Sequence, residues 1–588
     1  MLGPWNPGIE SQLPAALLRL ATIFRAESVF TGVEEAHERS SFTGLDPEDL
    51  VAFRPERLVV HELLIRVMAD LSVPDGKDYV DLGVNFRAIT ATIQHAHIAP
   101  YMAEIVAAHD ALRQRVAALI ETELASLLAP RPRSPAPRGL LGRLGLRRKQ
   151  EPPSEPIEER ERRIQASWQD RAAVSTDPLE ACILQTLARL AAAIAIQHGR
   201  VRGDRGFLTA LATDLVCNDH GSAAIGRMIE PHIEAAMAAE GYRALPPRAR
   251  PVVMNTKGAS ASGKSTMRGL QRELAEELGL DWGDFALISP DIWRKYLLDY
   301  EGLGAAEKYA GSLTGHELRI IDQKLDRYMA HKAARGRMPH LLIDRFRFDS
   351  FAEEEGGEEG VRLLTRFGAV VYMFFMITPP IATVERAWTR GLEVGRYKAV
   401  DDLLDHNIEA YTGMPRLFFT WALRQDKQVH YEFLDNGVAA GERPRTVAFG
   451  WNDAMTILDI GRLLDVERFR KINTAATGPA EVHPDPAALA AECNTGFLLQ
   501  CARAMRRIDL ADHRTGRIYA RIEAGAIEGI DREALAAAME DPDTRAGLLA
   551  LAPGIGTARA WPEPRWLGAQ EHTHTVGQWG SVGAPRAA

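Results

Sequence analysis

One short segment carries the clearest chemical signal in the sequence. Residues 258–265 read GASASGKS and match G-x-x-x-x-G-K-[S/T], the pattern of a phosphate-binding P-loop. Gly258 and Gly263 allow backbone N–H groups to surround a phosphate, while Lys264 brings a positive charge to the β- and γ-phosphates. Ser265 can offer its hydroxyl to Mg²⁺, so ATP or GTP with Mg²⁺ is the expected ligand. The predicted nucleotide-binding residues are Gly258, Ser262, Gly263, Lys264, Ser265 and Thr266.

An aspartate follows the next apolar run along the chain. Residues 284–289 read DFALIS, which is typical of a short buried strand, and Asp291 comes two residues later. A carboxylate at the carboxyl edge of a parallel sheet lies where ligands bind in open α/β folds. Asp291 is therefore a candidate base that orients and deprotonates an acceptor hydroxyl beside the γ-phosphate. It could also N-cap the helix that begins with IWRKYLL, and the two roles do not exclude each other.

Three arginines belong to a later helical segment, residues 379–398, with the sequence PPIATVERAWTRGLEVGRYK. Arg386 and Arg390 are four residues apart on one helix face, where like charges repel, so an anion between them is expected. Arg396 follows, with a lysine close behind it. Arginines on a lid over the phosphates would stabilise the charge that develops in transfer and would exclude water. We therefore predict catalytic roles for all three. An exposed basic helix whose arginines pair with its own glutamates is the alternative.

Other polar residues are candidates for contacts with the metal and the acceptor. The run HLLID ends in Asp344, which has the form of a Walker-B aspartate and could hold Mg²⁺ together with Ser265. An insertion, residues 295–339, contains TGHE, a capping-box sequence that would start a helix at the border of the acceptor site. The alternative is that the polar residues of this region are surface or capping residues. The predicted acceptor contacts are His316, Glu317 and Arg345.

The segments around these residues alternate between strand and helix. The P-loop motif lies between an apolar strand and a helix, residues 265–278, that Gly279 closes. Such alternation predicts an α/β fold, a P-loop kinase-type parallel sheet flanked by helices, over residues 250–465. Two further strands, 429–435 and 445–449, are expected at the sheet edge. The four predicted buried strands are residues 252–255, 284–289, 340–344 and 369–377.

The remainder of the chain divides by composition. Residues 1–128 and 164–245 have apolar positions at helical spacing, which predicts a mainly helical N-terminal half. Between them, residues 129–163 combine prolines with blocks of one charge sign, which predicts a disordered linker. That linker would let the first helical domain dock reversibly over the α/β domain and regulate access to it. Residues 466–588 predict a mixed helical extension that ends in a loose tail.

Bulk composition narrows the functional class. The 588 residues exceed one hydrophobic core, and 46% hydrophobic with 25% charged residues is typical of soluble globular proteins. A net charge of -9 favours small-molecule partners over nucleic acid, with a protein partner or inhibitor left open. The four cysteines lack C-x-x-C spacing, which predicts neither disulfides nor zinc. We see no secretory signal and no run of about 18 apolar residues, so a cytoplasmic location without a membrane span is expected.

Four segments, in their order along the chain, resemble a known family. GASASGKST, ISPDIWRKYL, LLIDRF and VYMFFMITPPIATVERAWTRG look like the zeta-toxin group of P-loop kinases, over about residues 251–450. The resemblance implies phosphorylation of a hydroxyl of a UDP-N-acetylsugar or, in a bacterial effector branch of similar fold, of NAD. The positions that match are Lys264 and Ser265 for phosphate and Mg²⁺, Asp291 for the catalytic aspartate, and Arg386 or Arg390 with Arg396 for the lid arginines.

The third strand departs from this family's pattern. A zeta-toxin strand resembles a hydrophobic run ending in Glu-Gly, whereas this one ends in Asp344, Arg345 and Phe346, and the large helical N-terminal half is foreign to a compact toxin. The prediction is a kinase that transfers the γ-phosphoryl group to a small-molecule hydroxyl, on a nucleotide-sugar or a dinucleotide. The alternative is a P-loop ATPase switch that couples hydrolysis to rearrangement of the helical half. A pseudo-enzyme that only binds nucleotide is a third possibility, against which the complete P-loop argues.

Overall fold

The computed structural model describes residues 2–128, 156–344, 364–439 and 441–580, apart from the side chains of Ser126, Leu128 and Ser265. Two compact units alternate along the chain. The helical unit consists of Ala15–Ile65 and Thr90–Gly241. The sheet unit combines the residues up to Pro14, Arg66–Ile89 and the chain from Tyr242 onward. A segment from the first hundred residues is thus built into the unit that contains the P-loop motif.

Helices dominate the chain before the first strand. Their starts are locally encoded: the Asp177 side chain accepts a hydrogen bond from the Leu179 N–H at the start of one helix. Ile120 and Leu184, both fully buried, belong to the core of the helical unit. The helices are α1 (Val33–Thr43), α2 (Pro55–Asp70), α3 (Asp81–Thr92), α4 (Met102–Leu128), α5 (Ile157–Val174), α6 (Pro178–His198), α7 (Arg205–Val216) and α8 (Ser222–Glu240).

Helix α6 is the one described helix that is long and apolar enough to cross a membrane, with a mean hydropathy of 1.7. The sequence analysis found no run of about 18 apolar residues and predicted no membrane span, whereas this helix meets the criteria of length and hydropathy. Of its most apolar window, 44% is buried inside the structure, as in a core helix of a soluble protein. Arg189 lies near the middle of α6 and pairs with Asp49 at 3.0 Å. A charge at that position would be costly in lipid, so the core role fits better.

The predicted linker is partly helical. Residues 129–155 lie outside the described part of the chain, but α5 begins at Ile157, inside the predicted linker 129–163. Glu161 of α5 is buried and accepts a hydrogen bond from the Val201 N–H at 3.0 Å. The Trp168 indole donates to Glu123 of α4 at 2.9 Å. The acidic second half of the predicted linker is therefore helical where it is described, because its charged residues find partners in the helical unit.

The sheet unit is built on one continuous sheet, in the order β10-β9-β8-β7-β6-β5-β4-β1-β3-β2, with β11 paired to β9. The pairs β2·β3, β3·β1, β1·β4 and β4·β5 are parallel. From β5 to β7 the pairing is antiparallel. The strands are β1 (Val252–Lys257), β2 (Phe285–Ile288), β3 (His340–Ile343), β4 (Val370–Ile377), β5 (Gln428–Asp435), β6 (Arg445–Trp451), β7 (Ala454–Ile457), β8 (Arg507–Ala511), β9 (Arg517–Glu523), β10 (Ala526–Ile530) and β11 (Arg565–Trp566).

The four predicted buried strands are confirmed, and their pairing is parallel. The prediction of β5 and β6 as edge strands is wrong, because both lie inside the sheet. The region 466–588, predicted as a mixed helical extension, contains helices, but it also adds β8, β9, β10 and β11 to the same sheet. One hydrophobic core, which includes Phe433, Phe497 and Ile508, runs across the predicted boundary at residue 465. The extension therefore completes the α/β core rather than following it.

Helices and one long C-terminal segment cover the sheet. Helix α14 places Phe418 against Phe433 of β5, with ring centroids 5.2 Å apart. The predicted loose tail packs as far as it is described, since Trp579 is 6% exposed. The helices of this unit are α9 (Arg268–Glu277), α10 (Arg294–Leu297), α11 (Ala310–Leu313), α12 (Gly315–Ala334), α13 (Pro380–Val394), α14 (Val400–Ala422), α15 (Ile460–Leu463), α16 (Asp465–Arg468), α17 (Gly496–Ala504), α18 (Arg532–Ala538), α19 (Pro542–Leu551) and α20 (Ala569–His574).

A buried carboxylate fastens that tail to the sheet. Glu432 of β5 accepts hydrogen bonds from the N–H groups of Val576 (2.8 Å) and Gly577 (2.9 Å) and from the Thr446 hydroxyl (2.7 Å). The tail could not be recognised as ordered from its composition, because its partner lies far away in the sequence. His574 of the same tail lies 3.0 Å from the Tyr372 hydroxyl through Nδ1.

Candidate active site

The loop after β1 has the backbone conformation of an anion-binding nest. Ala261 and Gly263 have φ values of 59° and 94°, and residues with negative φ lie between such positions in nests, so that successive N–H groups turn to one side. A 3-10 turn, Lys264–Met267, leads into α9. A Cβ on Gly263 would lie 2.3 Å from Nδ2 of Asn436, so only glycine fits there. The first turn of the helix predicted at residues 265–278 is therefore a 3-10 turn, and the α-helix itself begins at Arg268.

The ends of β4 and β5 brace this loop. The Ser262 carbonyl accepts hydrogen bonds from the Thr378 hydroxyl at 3.0 Å and from the Asn436 amide at 2.7 Å. The Ser262 side chain is fully buried, and its hydroxyl finds no hydrogen-bond partner among the described residues. Thr266 donates its hydroxyl to the Gly263 carbonyl at 2.7 Å. Of the predicted ligand residues, Ser262 is therefore held in place through its backbone, and the Ser265 side chain lies outside the described part.

Lys264 reaches back over the loop. Its Nζ donates hydrogen bonds to the carbonyls of Gly258 (3.0 Å) and Ala259 (2.7 Å). Burial lowers the pKa of Lys264 to about 8, although the nearby carboxylates of Asp344 and Asp291 act in the opposite direction. A phosphate beside this amine would favour its charged form. The loop and its lysine can therefore receive a polyphosphate.

Asp291 lies between two arginines. Its Oδ1 accepts from Nε of Arg294 at 2.9 Å, and its Oδ2 accepts from Nη2 of Arg396 at 2.7 Å. Burial alone would raise the pKa of Asp291, but the two guanidiniums outweigh it and hold that pKa far below its usual range. The side chain caps neither the 3-10 turn Pro290–Trp293 nor α10. The cap alternative is therefore wrong, and Asp291 is a carboxylate paired with two arginines at the carboxyl end of β2.

The two arginines of α13 have different surroundings. Nη2 of Arg386 donates to the carbonyls of Asn436 (2.7 Å) and Val438 (3.2 Å), which follow β5. Burial lowers the pKa of Arg390 to about 10, with the positive charge of Arg396 adding to the effect and Asp291 opposing it. The two guanidiniums therefore have separate partners, and these contacts do not support the predicted anion site between Arg386 and Arg390. Arg390 belongs to the Asp291 cluster, whereas Arg386 holds a loop.

Asp344 comes directly after β3 and faces the P-loop lysine. Its N–H donates to the Ile288 carbonyl at 3.0 Å, which continues the parallel pairing of β2 and β3. Burial raises the pKa of Asp344, although Arg268 and Lys264 counteract it. The Arg268 guanidinium lies 3.7 Å from the carboxylate. A buried carboxylate of this kind is a suitable oxygen ligand for Mg²⁺.

The predicted acceptor contacts are dispersed. His316 is exposed on α12, with Nδ1 3.3 Å from the Arg319 guanidinium, and Glu317 is fully buried. Arg345 lies outside the described residues. The predicted capping box is not formed, because the Thr314 side chain does not cap α12. Thr314 instead accepts a hydrogen bond from Nη1 of Arg294 at 2.8 Å, and this contact brings the insertion to the site.

Three residues of the cluster had no predicted role: Arg294 and Tyr79 were missed, and Lys398 was noted only as the lysine that follows Arg396. Arg294 stands three residues after Asp291, a spacing that could have revealed the pair. Lys398 lies 3.3 Å from the Asp402 carboxylate and contacts the His406 imidazole, and burial lowers the pKa of Lys398 to about 8. Tyr79, far away in the sequence, accepts a hydrogen bond from Nη1 of Arg396 at 3.3 Å, and no local signal could have found it.

Positive charge dominates this edge of the sheet. Among the described residues, six cations and three carboxylates interact there, so that the cluster carries an excess of positive charge that suits phosphates. The cations are Lys264, Arg268, Arg294, Arg390, Arg396 and Lys398, and the carboxylates are Asp291, Asp344 and Asp402. No model of a known protein family matches this chain, and no curated protein is significantly similar to it.

Proposed function

We propose that this chain is a kinase that transfers the γ-phosphoryl group of ATP or GTP to a hydroxyl of a small molecule. The observation that carries the proposal is the position of Asp291, which two arginines hold beside the P-loop lysine at one sheet edge. A protein that only binds nucleotide needs little more than the loop and Lys264. A transferase also needs a fixed carboxylate for the acceptor and cations for the transferring group.

The sheet topology supports this assignment. The five parallel strands follow the order β2-β3-β1-β4-β5, so the chain leaves β1 at the point where the strand order reverses. Ligands of open α/β sheets bind at such a point, outside the carboxyl ends of the strands. The loop with Lys264 follows β1, Asp291 follows β2 and Asp344 follows β3. The resemblance of residues 251–450 to zeta-toxin kinases supports the same P-loop kinase-type fold.

Mg²⁺ would be held by Asp344, with Ser265 as the second ligand that the motif predicts. Among the described residues no group of three potential metal-binding side chains is present. Mg²⁺ does not need one, because it is commonly bound by one or two carboxylates together with phosphate oxygens and water. Asp344 is buried, and burial raises its pKa, so a nearby cation would stabilise its charged form. When bound, the metal would neutralise charge on the phosphates.

The residues of the site suggest a division of labour. Asp291 has about four lone-pair positions and uses two of them for arginines, so it can still accept a hydrogen bond from an acceptor hydroxyl and orient that hydroxyl. The hydroxyl oxygen would form a bond to the γ-phosphorus while the bond to the bridging oxygen breaks, and the proton would pass to Asp291. Arg390, Arg396 and Lys398 would stabilise the charge on the transferring group.

The acceptor class follows from the resemblance alone. It suggests a nucleotide-sugar or a dinucleotide, and it makes a cytoplasmic small-molecule enzyme the fitting role. The test is a screen of purified full-length protein with labelled ATP and GTP against nucleotides, nucleotide-sugars and NAD. Phosphate should appear on an acceptor with wild type and should be absent with Lys264→Ala. If nucleotide is consumed but no acceptor gains phosphate across the screen, the kinase proposal fails and the ATPase switch becomes the better one.

A further inference from the structure

The segment Arg66–Ile89 of the sheet unit lies against the turn that carries Asp291. A Cβ on Gly83 of α3 would come 3.7 Å from Cβ of Ile292, the residue after Asp291. Tyr79, just before α3, bonds to Arg396, which in turn bonds to Asp291. Helix α3 therefore lies beside the turn that carries Asp291.

A buried hydroxyl without a partner lies in this region. Tyr300 is 7% exposed, and its hydroxyl makes no hydrogen bond to any described residue. It is within electrostatic range of Asp291, Arg294, Arg396 and Arg87. Leaving a buried hydroxyl unsatisfied is unfavourable, so this group is placed to donate to something the folded chain does not supply.

Arg87 of α3 also lacks a hydrogen-bonded acceptor or a carboxylate within the part of the chain that the structure describes. Nη1 of Arg87 packs against Gly83. A Cβ added at Gly83 would be only 2.9 Å from this nitrogen, so a larger residue at position 83 would displace the guanidinium. Partial burial lowers the pKa of Arg87, and its interaction with Tyr300 opposes the effect. The planar guanidinium fork matches the oxygens of phosphate and carboxylate groups. A half-buried arginine without a carboxylate is thus suited to bind an anion of a ligand.

We infer that Arg87 and Tyr300 form an anion-binding subsite for the acceptor, which is then a hydroxyl compound that also carries a phosphate or carboxylate group. The claim that the bound anion belongs to the acceptor rests on the proposed kinase function. The claim that Arg87 and Tyr300 bind an anion does not. Arg87 is in this reading a specificity-determining residue supplied by the N-terminal half of the chain. Phosphate and carboxylate share the chemistry that a guanidinium and a phenol hydroxyl recognise.

The first experiment measures binding without turnover. Full-length protein saturated with excess Mg²⁺ and a non-hydrolysable ATP analogue is titrated calorimetrically with pyrophosphate and, separately, with malonate. Wild type should bind one of these probes, and the affinity should fall at least tenfold in Arg87→Met and threefold or more in Tyr300→Phe, on the order of a lost charged or neutral hydrogen bond. Arg335→Ala, which removes an exposed arginine after α12, should bind like wild type. The preferred probe separates phosphate from carboxylate recognition.

Binding of neither probe by wild type, or equal binding by Arg87→Met, would overturn the inference. Unchanged melting temperatures would show that the variants are folded. If Arg87→Met does not fold, the probe affinity of Tyr300→Phe tests the subsite instead. In a second experiment, transfer to a nucleoside and to its diphosphate is compared, and Arg87→Met should raise KM for the diphosphate at least tenfold with little change in kcat. If pyrophosphate binds through Arg87 but nothing is phosphorylated, the kinase proposal fails and the subsite stands. Equal use of both acceptors by wild type and variant would sink the subsite alone.

Discussion

Arg396 joins Tyr79 to Asp291, with Nη1 3.3 Å from the tyrosine hydroxyl and Nη2 2.7 Å from the carboxylate. Tyr79 and Asp291 are far apart in the sequence, and the Arg396 guanidinium contacts both of them. Tyr79 lies in Arg66–Ile89, which belongs to the sheet unit. This relationship changes the expected role of the N-terminal half, which the linker had suggested was a separable regulator.

A protein truncated to start at Arg248 should therefore be poorly folded or inactive. It would lose Tyr79, and it would also lose Asp70, which accepts hydrogen bonds from Lys332 and Tyr328 of α12 at 2.6 Å each. Solubility, melting temperature and phosphoryl transfer are the measurements. The full-length variant Tyr79→Phe is the milder control and should lower kcat about threefold to tenfold, as for a net 0.5–1.5 kcal/mol hydrogen bond. A soluble truncated protein with full activity would restore the regulatory interpretation.

Lys264→Ala should abolish most triphosphate binding, by at least tenfold in Kd, because a charge-assisted contact to phosphate is lost. Calorimetry with Mg²⁺ and ATP measures this directly. Lys427→Ala is a matched control, since Lys427 also donates to a carbonyl, that of Gly368, at 2.6 Å. Unchanged affinity and turnover in Lys264→Ala would refute the P-loop assignment.

Asp291→Asn should separate binding from chemistry. Nucleotide affinity should stay within about threefold of wild type, whereas transfer should fall by roughly 10²–10⁴-fold, the usual range for loss of a general base. ATP consumed and phosphorylated acceptor produced are counted in the same reaction. The asparagine also disrupts the contacts to Arg294 and Arg396, so melting temperature is recorded as the control. Wild-type rates in this variant would show that Asp291 has no catalytic role.

Arg390→Ala and Arg386→Ala should behave differently although they are one helical turn apart. Under the proposed kinase function, Arg390→Ala should lower kcat by roughly 10²–10³ with little change in ATP affinity, because the Arg390 charge would stabilise the transferring group. Arg386→Ala removes hydrogen bonds to the carbonyls of Asn436 and Val438, and it should cost about 1.5–3 kcal/mol of unfolding free energy. Stability by denaturant titration and steady-state kinetics distinguish the two. Identical effects of both substitutions would contradict the assignment.

Acid should destabilise the protein through His340. Its Nδ1 accepts a hydrogen bond from the Val252 N–H at 2.8 Å, and burial lowers its pKa from 6.5 to about 4. The unfolded chain therefore binds a proton first as pH falls, so stability present above pH 6.5 is lost down to about pH 4, by about 3 kcal/mol. His340→Asn keeps an acceptor but does not titrate, and its unfolding free energy should fall less over this range. Parallel pH profiles of the two proteins would contradict this prediction.

Local sequence determined the parts of the site that neighbouring residues make by themselves. The P-loop, its flanking strand and helix, and the position of Asp291 and Asp344 after apolar strands all follow from residue types within about a dozen positions. The Asp291 and Arg294 pair is a spacing of three residues and was within reach of the same reasoning. Parallel pairing of β1 to β4 followed from alternation of strands with helices.

Tertiary structure alone decided the contacts between distant segments. Asn436 braces the P-loop, Tyr79 holds Arg396, and Arg386 bonds to a loop rather than to an anion, and none of these follows from local periodicity because the partners are far apart in sequence. The interior position of β5 was likewise hidden, since a buried run looks the same at either place until the C-terminal strands extend the sheet. Side chains that complete a site come together only when the sheet has fixed which strand ends are neighbours.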